Sequence, residues 1–137
     1  MATTIRRVDY FHALVQDQPG EAFKVLSALA TQGVNLLAFT AVPGGGTRTQ
    51  LTVFPESTAA LQAAAAKSGM ALEGPHRALI VQGDDELGAL ASVHERLYDA
   101  GVNVFASSGV TDGRGSFGYV IHVRPDEYER AVKALAL

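Results

Sequence analysis

Apolar positions gather along residues 8–16 at Val8, Tyr10, Phe11, Leu14 and Val15, a β-rich run that leads into Asp17-Gln18-Pro19-Gly20. The period then changes. Ala22, Val25, Leu26 and Leu29 fall at i, i+3, i+4 and i+7, one apolar stripe of a helix that Gly33 ends. Val34 to Val42 reads as a strand and Pro43-Gly44-Gly45-Gly46 as a loop. Thr47 to Phe54 returns as a strand with Leu51 and Val53 on one face. Pro55 is expected in the first turn of a second, alanine-rich helix over 56–68, where its missing N–H is harmless. Gly69 closes that helix, and Met70-Ala71-Leu72 is expected to be a short final strand.

The pattern then repeats. Gly33-Val34-Asn35 and Gly101-Val102-Asn103 are the same triplet at an offset of 101 − 33 = 68, and at that offset Gly20/Gly88, Val25/Val93 and Leu29/Leu97 also coincide. Pro55-Glu56 answers Pro125-Asp126 at an offset of 70, the two extra residues falling in the hairpin between. The second copy predicts a strand over 76–82, a helix over 86–100, a strand over 102–111 and a hairpin at Asp112-Gly113. Phe117, Tyr119, Ile121 and Val123 alternate on one face of the next strand. A helix from Pro125 carries Tyr128, Ala131, Val132 and Leu135. The expected fold is therefore α+β, with two tandem ferredoxin-like βαββαβ modules at 1–74 and 75–137. Each has an antiparallel sheet with its helices on one face. The second module has no room for a fourth strand of its own. Its edge over 77–82 should be covered by Met70 to Glu73 or by a strand of the first copy, and a homodimer is expected.

Composition narrows the function. The charged fraction is 18% and the formal net charge −3, without the basic surplus that phosphate contacts demand, so no nucleic-acid partner is expected. The absence of cysteine excludes disulfides, thiolate metal sites and cysteine nucleophiles. The first residues contain no apolar h-region, and no apolar run approaches the ~20 residues that cross a bilayer. A soluble, cytoplasmic protein without membrane contact is expected.

Asp17-Gln18-Pro19-Gly20, an apolar helix, and then Gly33-Val34-Asn35-Leu36 resemble the ACT domain family, with its D-x-P-G-like turn after the first strand and its G-x-N-[IV] step into the second. Asp85-Glu86-Leu87-Gly88 and Gly101-Val102-Asn103-Val104 repeat the resemblance, with Leu87 in place of the proline. It implies a non-catalytic regulatory fold that binds a small-molecule effector, by family habit an amino acid, and acts on a separate enzyme or regulator. The implied ligand residues are Asp17, Gln18, Pro19, Gly20, Asn35, Leu36, Asp85, Gly88, Asn103 and Val104. Physically, each turn opens a helix whose free N–H groups and dipole favour a carboxylate. The plain structural alternative is that Asp17 caps the helix and Asn35 satisfies backbone. In the second copy Asp84, Asp85 and Glu86 crowd the same terminus and repel an anion, so the first copy is the expected carboxylate site.

Other chemistry is not expected. His12, His76, His94 and His122 show no metal-ligand spacing, and neither a metal nor a cofactor is predicted. Gly44-Gly45-Gly46 leads into a strand rather than a helix and lacks a following Gly-Lys-Ser/Thr, so it is a hairpin. Ser107-Ser108 lacks a nucleophile elbow. Acylphosphatases share the plan, but Gln16 to Gly20 offers no arginine for a phosphate. A ligand-independent protein-interaction module is the competing reading, with an acylphosphatase-like enzyme a remote third.

Overall fold

The computed structural model describes residues 3–137; Met1 and Ala2, where the first repeat is expected to begin, lie outside them. The elements run β1 (Thr3–Gln16), α1 (Glu21–Thr31), β2 (Leu36–Pro43), β3 (Arg48–Pro55), α2 (Thr58–Ser68), β4 (Glu73–Asp84), α3 (Ala89–Asp99), β5 (Val104–Thr111), β6 (Ser116–Val123), a 3-10 turn (Pro125–Glu127) and α4 (Tyr128–Ala134). They form two compact units. The first is Asp9–His76; the second joins residues 3–8 to Arg77–Leu137.

In the first unit the strand order is β2-β3-β1-β4, with residues 9–16 of β1 and residues 73–76 of β4 taking part. β1 and β2 both run antiparallel to β3, which sets Phe11 and Phe39 opposite Val53 and Ala13 and Ala41 opposite Leu51. Side chains alternate across a strand, so one face of this sheet carries Phe11, Ala13, Leu51 and Val53. Val25 and Leu29 of α1 and Leu61 and Ala64 of α2 close over that face in one core. Leu26 is only half-buried.

The second unit repeats the plan in the order β1-β4-β6-β5. Its core joins Leu79 and Val81 of β4, Val93 and Leu97 of α3, Tyr119, Ile121 and Val123 of β6, and Tyr128, Ala131 and Val132 of α4. The strand beyond β4 is residues 3–8: Ile5 packs against this core, and Arg6 Nη2 donates to Gln82 Oε1 at 3.0 Å. A strand of the first copy thus covers the edge at 77–82, one of the two sources expected. The alternation rule understates β1, which begins at Thr3 rather than Val8, because Arg6-Arg7 interrupts the apolar pattern while the backbone still has a neighbour to pair with.

Several local expectations shift. Met70-Ala71-Leu72 is not a strand: Met70 N–H bonds back to the Ala65 carbonyl at 2.9 Å, and Met70 and Leu72 fold onto the first core. Pro55 closes β3 instead of opening α2. The start of α2 is set by Ser57, whose Oγ accepts from Ala60 N–H at 3.2 Å, a stronger signal than the proline. Pro125 begins a 3-10 turn, and α4 proper starts at Tyr128. α3 starts at Ala89, three residues later than its apolar pattern suggests, behind Gly88.

Candidate functional site

Each first helix is entered through a glycine in the left-handed region. Gly20 (φ 91°) precedes α1 and Gly88 (φ 83°) precedes α3, and neither helix has a side-chain cap. The positive φ is what requires glycine, since no atom lies within 4 Å of where a Cβ would project at either position. Asp17 does not cap α1. Its N–H donates to the Thr47 carbonyl at 2.8 Å, and Asp85 N–H donates to the Gly115 carbonyl at 2.8 Å, so both aspartates pin the turn to the following hairpin.

The asparagines lie elsewhere. Asn35 Nδ2 donates to Glu56 Oε2 at 3.3 Å, while Glu56 N–H returns a bond to the Asn35 carbonyl at 2.9 Å. Asn103 N–H donates to Glu127 Oε1 at 3.2 Å. Leu36 and Val104, which follow them, are half-buried against their cores. Each turn and its asparagine therefore stand at opposite ends of an eleven-residue helix, about 16 Å long at 1.5 Å per residue. One unit does not bring its own two motifs together.

The second unit's turn opens on a cleft of about 670 Å³, lined by Asp85, Leu87 and Gly88 on one side and Gly109, Val110 and Gly118 on the other. Of the residues expected to bind ligand, Asp85 and Gly88 line it, and Asn103 and Val104 do not. A second cleft, of about 650 Å³, shares Val110, Thr111, Phe117 and Gly118 and adds Thr4, Arg6, Asp84 and Asp112. The β5 and β6 residues were not anticipated from sequence. Gly109 and Gly118 inside strands were the available signal, because strand glycines often mark close approach. At Gly109 a Cβ would meet the Tyr119 ring at 2.8 Å.

Charge differs between the turns. At the first, Glu21 accepts from Lys24 Nζ at 3.0 Å and from Gln18 Nε2 at 3.5 Å, and these bonds, Lys24 foremost, hold its carboxyl below the usual range. At the second, the clefts gather Asp84, Asp85, Glu86 and Asp112, with Arg6 as the cation among the lining residues. Away from both turns, His12, Glu73 and His76 bring three metal-ligating side chains together. Among the described residues no helix is long and apolar enough to cross a membrane.

No family model matches the chain, and no curated protein matches it. Solved structures do. Protein BT0572 from Bacteroides thetaiotaomicron superposes with a TM-score of 0.77 at 16% identity, over 98% of this chain and 88% of that one. The regulatory subunit of aspartate kinase from Thermus thermophilus, in its ligand-free form, gives 0.60 at 19% identity, over 99% and 96%. Its counterpart from Thermus flavus gives 0.57 at 22%, over 98% and 94%. At such identities the likeness is one of fold, and the fold is ACT-type.

Proposed function

We propose that the chain is a non-catalytic regulatory protein of two ACT-like repeats, 1–74 and 75–137, in which the first repeat's opening strand completes the second. It binds a small-molecule effector, an amino acid by resemblance, and acts on a separate enzyme or regulator in the cytoplasm. The observation that carries this reading is the cleft of about 670 Å³ at the start of α3, lined by Asp85, Leu87 and Gly88 and walled by the strand glycines Gly109 and Gly118. The ACT-type fold shared with proteins described as regulatory subunits of aspartate kinase supports it. The Asp17–Gly20 turn, with Glu21 paired to Lys24, suits a carboxylate. The acidic turn at Asp84–Glu86 suits an ammonium group.

A homodimer is expected because Leu14, Phe23 and Val42 stay exposed, and a symmetric pair of chains is the commonest way to cover such side chains. Light scattering behind a sizing column tests this: a dimer is expected, and a monomer across the micromolar range overturns it. Calorimetry and thermal-shift measurements against the twenty amino acids test the effector. A ligand at 100 times its Kd stabilises by about 2.7 kcal/mol. No response to amino acids, nucleotides or common metabolites would overturn effector binding.

One observation favours a second reading, ligand-independent docking of a protein. Leu87 is fully exposed and Val110 is 74% exposed, both on the same cleft. Under that reading a partner is retained without any metabolite, and Leu87→Ser releases it.

A further inference from the structure

We propose that the first unit carries a site for a divalent transition metal of the zinc class, held by the imidazoles of His12 and His76 and the carboxylate of Glu73. One ligand atom from each of the three lies within 4.8 Å of the others. Sequence spacing hides the group, because His12 is on β1 and the other two are on β4.

The backbone explains the meeting. Side chains three apart on a regular strand face opposite sides. Between Glu73 and His76 stand Gly74 and Pro75, and Gly74 (φ 148°) breaks the alternation. Gly74 also lies against β1: a Cβ there would sit 2.9 Å from the Tyr10 carbonyl oxygen and 2.9 Å from the Phe11 ring. Only glycine permits that approach, and it delivers both flanking side chains to His12.

The ligands are already oriented. His76 Nε2 lies 2.6 Å from Glu73 Oε2 in a hydrogen bond, a contact that a cation bound by both atoms would replace. The buried Thr52 hydroxyl engages His12 Nδ1 at 3.0 Å. With the Nδ1 hydrogen assigned to that bond, Nε2 keeps its lone pair for a metal, the arrangement in which a metal-binding histidine is steered by an oxygen on its other nitrogen. The Tyr10 ring packs 5.2 Å from each imidazole and limits their rotation.

The donor set selects the ion. Two imidazoles and one carboxylate, in a chain without cysteine, suit zinc, cobalt, nickel or copper(II), not magnesium or calcium, which need oxygen ligands, and not copper(I), which needs thiolates. The side chains of His76 and Glu73 are 39% and 68% exposed, so an ion enters from solvent and keeps a position open for water or a further donor.

The test is titration of the chelator-treated full chain with Co²⁺, followed by displacement with Zn²⁺. One Co²⁺ per chain is expected, with visible d–d absorption and paramagnetic shifts on the ring protons of His12 and His76, while those of His94 and His122 stay in place. His12→Asn and Glu73→Gln should each weaken binding by about tenfold or more. Thr52→Val, which touches no metal, should weaken it by about 10–100-fold. Where a variant fails to fold, the shifts in the unaltered protein decide. Absence of Co²⁺ and Zn²⁺ binding, binding indifferent to His12→Asn, or shifts centred on His94 or His122 would each overturn the proposal.

Discussion

Truncating Leu97 to alanine tests how the second unit is built. Leu97 lies on α3, is 1% exposed, and shares its core with Val93, Val102 and Ile121. Its carbonyl accepts from Ala100 and Val102 N–H at 3.2 and 2.9 Å, closing the helix, and those bonds survive the substitution because they are backbone. The loss is therefore one of packing. Removing three carbons at about 0.8 kcal/mol each forfeits about 2.4 kcal/mol of burial. The cavity left behind raises the total to roughly 3–4 kcal/mol, inside the ~2–5 kcal/mol span for such changes. In a unit of this size 1 kcal/mol moves Tm by about 4–8 °C, so a fall of at least about 12 °C is expected. Urea denaturation and thermal melts followed by circular dichroism measure it. Tyr98→Ala, at the next residue but 81% exposed, is the control and should stay within about 0.5 kcal/mol. A Leu97→Ala protein that melts within about a degree of the unaltered chain would refute the packing argument.

Three further outcomes are expected. Asp84→Asn with Glu86→Gln should strengthen binding of a carboxylate ligand at the second turn, and unchanged or weaker binding by calorimetry would sink the electrostatic account. Gly74→Ala should destabilise the first unit, because its Cβ meets the Tyr10 carbonyl at 2.9 Å in a conformation that L residues avoid; an unchanged urea midpoint would contradict this. Glu21 titrates lower in the folded chain than its ordinary 4.5, so below that value the unfolded chain binds more protons; its contribution is present above pH 4.5 and is lost as pH falls through the folded value. Glu21→Gln should flatten that acid limb of stability, and an identical limb in both proteins argues against the Lys24 and Gln18 bonds.

What the sequence determined by itself is what local periodicity encodes. Val25 and Leu29, their counterparts Val93 and Leu97 at the same offset, and the alternation of Tyr119, Ile121 and Val123 all lie where a 3.6 or a 2.0 period puts them, because each stripe faces one core whatever lies beyond it. The antiparallel α+β plan follows from the same periods. The tertiary structure alone decided which strand completes the second unit, since Thr3–Val8 carries two arginines and becomes a strand only because β4 has an edge to fill. It also decided the walls of the cleft and the meeting of His12 with Glu73 and His76. The turn motifs at Asp17–Gly20 and Asp85–Gly88 were legible as helix entries, but the cleft beside Gly88 needs Gly109, Val110 and Gly118 from a distant hairpin. Such groups are joined by hydrogen-bonded strand neighbours far apart in the chain, and a periodicity read over one window carries no record of which strands will pair.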